Sequence, residues 1–394
     1  MAFAASAALA TSLFGASVRA DGLDEVPPPA DAGNVNELFA FGDREQITFF
    51  PSALFELGLK PSVGFNLAWR YLAAEENTAR LHFGTWGPDW IAVKASDSYD
   101  LRKHESVFVE GSLVRRRDNT FSGMGPRSAQ DDRARYASTV TELAGGHVWR
   151  FWRSSSIQTR AGLRSLAFGE GGCCGEESLA DALAAGRLTA PGFGRGYAGP
   201  FQRMELQLDS RRPRPDPGGG LRLEAWEESV FPMDAPAGEE RRSWVKYGGS
   251  VGGAIDPTGA QRVMSLIVSA ELADPLAGTI PFTDQASLGG EARMPGYLRG
   301  RLVDRSSVVA VLQYRWPVWV YLDAVAHASL GNVYGAHFEG FDVRSSRLST
   351  GLGLRSNGER DSRFEILFAV GSDPLDEGLR VSSFRLVFGS HHGF

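Results

Sequence analysis

From about Lys60 to the carboxy terminus, apolar and polar positions alternate with a period of two, and Gly, Pro, Asn and Asp turn signals punctuate the runs. In Ser306 to Trp316, the residues Val308, Ala310, Leu312, Tyr314 and Trp316 share one face, whereas Gln313 and Arg315 lie on the other. Between Gln261 and Leu272, Met264, Leu266, Val268, Ala270 and Leu272 alternate with Gln261, Ser265, Ser269 and Glu271. Phe364, Ile366, Phe368 and Val370 alternate with Arg363 and Glu365, and Phe384, Leu386 and Phe388 with Ser383 and Arg385. The pattern predicts an all-β chain.

A soluble sandwich also alternates, but its strands are shorter, with a mode near 5–6 residues. Here the runs extend over about 10 or more residues, and aromatic residues such as Tyr314, Trp316, Trp319 and Tyr321 mark their ends. Those features fit a lipid-facing band between aromatic girdles, with polar residues turned to a lumen. About 350 residues at roughly 22 per strand and connection give about 16 strands of a transmembrane antiparallel β-barrel. An even count requires a strand near Gln46 to Leu57. The longer connections, expected outside the cell, are Asn119 to Arg133, Gly169 to Pro200, Asp209 to Gly220, Asp274 to Asp304 and Asn332 to Ser345. Within the second of these, Glu176 to Leu188 suits a short helix.

Ahead of the strands, residues 1–20 are small and apolar and end in Val18-Arg19-Ala20, as a secretory signal does. The basic start of such a signal is missing, so the true start lies upstream or the segment is a buried helix. Residues 21–44 read as a proline-bearing periplasmic tether, and 45–394 as the barrel. Composition narrows the class further. No run approaches the ~18 uncharged apolar residues of a membrane helix. A net charge of −6 argues against nucleic acid as a partner. Only four of the 41 basic residues are Lys, and the arginines are scattered, which points to codon bias or an arginine-lined interior.

The stretch Leu288-Gly289-Gly290, then Tyr297-Leu298-Arg299-Gly300-Arg301, Gln313-Tyr314-Arg315-Trp316-Pro317 and Tyr321-Leu322-Asp323-Ala324 resembles the barrel domain of the BamA/TamA family, the bacterial surface antigen family. Phe121-Ser122-Gly123-Met124-Gly125, Ser349-Thr350-Gly351-Leu352-Gly353-Leu354-Arg355 and the terminal Phe394 add to the resemblance. It implies a 16-stranded barrel in the bacterial outer membrane whose sixth extracellular loop folds back into the lumen. Leu298, Arg299 and Gly300 match the family's loop motif, and Arg301 departs from it at the aromatic position. Asp323 occupies the place of the family's barrel-wall aspartate, and so is the expected partner of Arg299. The bland reading of Arg299 is a solvated side chain on a flexible loop. Val325 stands where the family has a second glycine. Family members that insert or secrete proteins carry polypeptide-transport-associated domains of about 75 residues each. The 24 residues from Asp21 to Arg44 have no room for one. The expectation is therefore a barrel without them, acting alone or with a separately encoded partner.

Other chemistry is sparse. Cys173 and Cys174 can close a vicinal disulfide or remain reduced thiols, and with no other Cys and no nearby His they do not suggest zinc. His327 and Ser329, two apart on a strand, have the spacing of a base and a nucleophile in outer-membrane lipid hydrolases. They share the parity of Asp323, however, and so face the lumen and not lipid. No cofactor, metal or catalytic activity is expected. The preferred role is an accessory or assembly-type barrel, with a passive pore as the alternative and a lipid-acting hydrolase third. Expected partners are outer-membrane lipid, the barrel-insertion machinery during biogenesis, and a separate periplasmic or outer-membrane protein. Phe384, Leu386, Phe388 and Phe394 resemble the carboxy-terminal signal read by that machinery.

Overall fold

The computed structural model describes residues 40–41, 46–72, 74–211, 219–233, 241–356 and 364–390. The expected leader and nearly all of the tether lie outside them. Sixteen antiparallel strands, with the two-residue strand Ala40–Phe41 paired to the first of them, form one continuous sheet. They are β1 (Ile47–Glu56), β2 (Ser62–Arg70), β3 (Asn77–Thr85), β4 (Trp90–Arg102), β5 (Glu105–Phe121), β6 (Ala134–Trp152), β7 (Ser155–Glu170) and β8 (Tyr197–Asp209). Then follow β9 (Gly220–Val230), β10 (Ser243–Ile255), β11 (Val263–Ala277), β12 (Ser306–Trp319), β13 (Leu322–Tyr334), β14 (Arg347–Ser356), β15 (Phe364–Pro374) and β16 (Val381–Ser390). Each strand pairs with its chain neighbours, and β16 returns to β1 through Val387↔Glu56, Phe388↔Phe55 and Gly389↔Leu54. Among the described residues only these three pairs make the closure, which is shorter than every other seam between the sixteen strands. Closing the sheet is what allows strands to cross hydrocarbon with their backbone polar groups paired.

The two-residue period sorts the side chains. Phe55, Val63, Leu113, Leu143, Leu163, Val251, Leu266, Leu352, Phe368, Phe384 and Phe388 are exposed on the outer face. The inner face is crossed by paired charges. Arg160 spans Glu110 (2.5 Å) and Glu142 (2.7 Å), and Arg164 spans Glu142 (2.5 Å) and Glu228 (2.8 Å). Lys246 and Arg293 share Glu271, at 3.2 and 2.8 Å. Near the closure, Arg385 pairs with Glu56.

Strand parity also divides the connections between two rims. The connections 122–133, 171–196, 278–305 and 335–346 share one rim, and two-residue turns such as 103–104, 153–154 and 320–321 occupy the other. The Asp209 to Gly220 connection, expected among the outer loops, belongs to the short-turn rim because β8 runs from the long-loop rim toward it. Its length and proline content misled the assignment, whereas counting strands places it. A short helix, α1 (Leu179–Ala184), does form in the 171–196 connection. Ser178 caps it by accepting from the Asp181 amide at 3.1 Å, and its buried side, Leu179 and Ala182, packs on Phe121 and Phe282.

The outward positions should react only with lipid-soluble reagents. In whole cells, Phe368→Cys is expected to label with a membrane-permeant maleimide and not with a charged one, while exposed Thr189→Cys in the long-loop rim labels with both. Labelling of Phe368→Cys by the charged reagent would contradict the outward assignment of β15.

Candidate functional site: the connection between β11 and β12

The 278–305 connection supplies side chains to three buried clusters made with inward-facing wall residues. Ile280 joins Tyr197, Phe201, Val230 and Trp244. Phe282, only 3% exposed, sits among Phe121, Tyr136, Phe168 and Phe193, with ring centroids at 4.7, 5.1, 5.7 and 6.4 Å. Leu288, Met294, Tyr297 and Leu302 pack on Val309, Val311 and Val333. Within the connection, Ala286–Leu288 pairs antiparallel with Leu302–Asp304, so the segment carries its own small hairpin. Burying several aliphatic and aromatic side chains, each worth about 1.5–3 kcal/mol, offsets a substantial part of the entropy of ordering such a segment, and the polar contacts to the wall add to it.

Polar contacts fix the register of the segment on the wall. The Gly296 amide donates to Ser349 Oγ (2.7 Å), and Ser383 Oγ donates to the Gly296 carbonyl. The Tyr297 hydroxyl donates to the Ser372 carbonyl (2.5 Å), with the Leu348 carbonyl at 3.3 Å. A Cβ at Gly371 would stand 2.4 Å from the Tyr297 ring, so β15 can take no larger residue there. Tyr197 donates to Asp284 Oδ1 (2.8 Å), and Arg164 lies 4.0 Å from the same carboxylate. Arg301 is 2% exposed and reaches the 122–133 connection, donating to Gln130 Oε1 (2.6 Å), Ser128 Oγ (2.9 Å) and the Ser128 carbonyl (2.8 Å). Arg347 donates to the same carbonyl at 2.9 Å. Burial and the adjacent Arg347 charge push the Arg301 guanidinium down to about 9, which still leaves it charged at neutral pH.

Among solved structures, BamA from Haemophilus ducreyi lacking POTRA domains 1–3 superposes with a TM-score of 0.59 at 12% identity, over 88% of this chain and 70% of that one. CdiB from Escherichia coli gives 0.53 at 13% identity, over 86% and 62%, and CdiB from Acinetobacter baumannii gives 0.52 at 10%, over 87% and 59%. The chain has the BamA-type outer-membrane barrel fold. It spans about three fifths of the CdiB chains. No family model matches the sequence, and no curated protein matches it significantly.

Within this BamA-type barrel the sequence-predicted residues take different places. Leu298 is buried and Gly300 turns the chain at a φ of +70°. Arg299 is exposed, and Asp323 instead lies 3.8 Å from Arg315 of β12. Among the described residues no ion pair joins Arg299 to Asp323, and the buried arginine of the motif is Arg301. The physical reason is the turn at Gly300, which puts successive side chains on different sides, so that burial passes to the second arginine. Phe384, Leu386 and Phe388 share the outer face of β16, while Phe394 lies outside the described residues. His327 and Ser329 are buried on the inner parity. His327 Nε2 faces the Arg293 carbonyl (3.4 Å), and Ser329 Oγ donates to the Ser349 carbonyl (3.4 Å). Cys173 and Cys174 are bonded to each other. Tyr297, Phe282 and Arg301 carry the attachment; Phe282 is not singled out by the sequence, and Tyr297 and Arg301 stand there only as flanks of the loop motif, with no partner expected for them. The glycine at position 371, facing a ring from a distant loop, leaves no local signal.

Asp284 gives the attachment a pH dependence. Burial raises its carboxyl above the ordinary 3.8, partly offset by Arg164. A raised acid pKa contributes stability that is full below the unfolded value and lost as pH rises through the folded one. Protease protection of the 278–305 connection is therefore expected to weaken as pH rises from about 4 toward the raised value, and the Asp284→Asn variant should show a flatter profile. An identical profile in the variant would remove Asp284 from this role.

Proposed function

We propose that the chain is an accessory or assembly-type barrel of the outer membrane that acts with separately encoded partners, and that residues 278–305 are its resident plug. The observation that carries this reading is the burial of Ile280, Phe282, Met294 and Tyr297 in clusters with inward-facing residues of β5 to β13, and in our reading a segment held there closes the long-loop half of the barrel. A passive pore needs that passage open. The likeness to BamA and CdiB in fold supports the same choice. Asp323 with Arg315, and the Arg160–Glu142–Arg164 chain, then act as wall charges beneath the plug and not as its clamp. We assign no catalytic step to His327 and Ser329, because lipid does not reach the inner face.

Single-channel recording in planar bilayers tests the plug. The intact chain is expected to give small, flickering openings, and Phe282→Ala should lengthen them, since a buried Phe→Ala change costs about 3–5 kcal/mol. Large, steady openings in the intact chain would favour the pore.

For biogenesis, we propose that the outer-face residues Phe384, Leu386 and Phe388 and the terminal Phe394 are read by the barrel-insertion machinery. Loss of one rim ring removes no more than about 1.5–3 kcal/mol of burial, which a large barrel tolerates once folded. Deleting Phe394 is thus expected to lower the assembled amount in cells while refolding in detergent is unchanged. If neither is affected, the terminus is not a signal.

A further inference from the structure

We propose that the outer surface of β5–β7 at the long-loop rim is a binding site for the phosphate-bearing headgroup of an anionic glycolipid. Arg115 and Arg117 share the outward parity of Val109 and Leu113 and border a cleft of about 240 Å³ with Ala137, Thr139, Ala167 and Gly169. Apart from Phe168 and Glu170, the other lining residues are small, so the guanidinium groups stand at the edge of a recess that a headgroup can enter.

Depth fixes the level of the recess in the membrane. On the outer face, Trp149 lies opposite Glu105 in the register of β5 and β6, and Arg115 is ten residues along from Glu105. At about 3.3 Å per residue and a tilt near 40°, that is about 25 Å along the membrane normal, the height of a barrel's apolar band. The exposed aromatic pair Trp149 and Phe151 therefore marks one interface, and Arg115 marks the other. An outward arginine is tolerated at an interface and expensive at the midplane. Directly below it, exposed Leu113, Leu143 and Leu163 offer a surface for acyl chains.

Charge completes the case. Arg117 is partly committed, donating to the Glu170 carbonyl (3.2 Å) and to Asp89 (3.2 Å), which Lys60 also approaches at 3.5 Å. Arg115 is exposed and makes no hydrogen bond or ion pair with the described residues. Lys60, Arg115 and Arg117 against Asp89 and Glu170 leave a local surplus of one positive charge, and a guanidinium fork matches phosphate oxygens in a bidentate arrangement. The site depends on the barrel fold and not on the plug assignment.

The test uses the delipidated full chain in a zwitterionic detergent, titrated with diphosphoryl lipid A and read by native mass spectrometry. Arg115→Gln with Arg117→Gln is expected to weaken binding about tenfold or more, as loss of charge-assisted hydrogen bonds does. Arg115→Lys with native Arg117 should keep most of it, and Arg262→Gln at the opposite rim should leave it unchanged. Arg115 has no partner to lose, so its replacement leaves the fold intact, which heat-modified mobility on a gel verifies. Equal binding by the double variant, equal weakening by Arg262→Gln, or equal uptake of phosphatidylcholine would overturn the proposal. Displacement of the lipid by millimolar inorganic phosphate would mark a free-anion site and overturn the lipid assignment.

Discussion

The fit between the 278–305 connection and the inner wall is the constraint on which the barrel's interior is arranged. Sixteen strands enclose more space than wall side chains alone fill, and that space is either water or another segment of the chain. Where the connection lies, the inner wall is apolar or small: Val309, Val311, Val333, Ser349 and Gly371. Charged wall residues meet it at a few points, Arg164 at Asp284 and Glu271 at Arg293, and the Arg160–Glu142 and Arg385–Glu56 pairs line the wall elsewhere. The same inward parity thus carries two chemistries, apolar or small where the loop's side chains are buried and charged where ion pairs tie it to the wall or line the wall by themselves.

That division explains the arginines. A charge on an inner wall loses part of its hydration, and holding it there requires a partner at hydrogen-bond distance. Arg160 bridges carboxylates on the adjacent β5 and β6, and Arg164 bridges carboxylates on β6 and β9, which the planar guanidinium fork does better than an ammonium point charge. Asp284 and Arg293 link the connection itself to this chain of charges through Arg164 and Glu271. The attachment is accordingly part hydrophobic and part ionic, and Arg301 extends it to the 122–133 connection through Ser128 and Gln130. With α1 of the 171–196 connection packed near Phe282, three connections of one rim are tied to each other as well as to the wall.

The alternation of apolar and polar positions determined, without any structure, that this is an all-β barrel of about sixteen strands and which face of β11, β12, β15 and β16 meets lipid. Those conclusions are legible because they depend on a period of two that each strand carries by itself. It also exposed the lumen-facing polar and charged positions, since Gln313, Arg315, Glu365 and Arg385 stand out against apolar neighbours. What only the tertiary structure decided concerns residues brought together across the barrel. The rim to which 210–219 belongs depends on counting every strand before it. The choice of Arg301 over Arg299 depends on the turn at Gly300, and the partner of Asp323 depends on the register of β12 with β13. Tyr297 against Gly371 joins positions 74 residues apart, and Arg301 with Ser128 joins positions 173 apart. Contacts over such separations impose no period on the chain, so nothing in the local pattern distinguishes these residues from their neighbours.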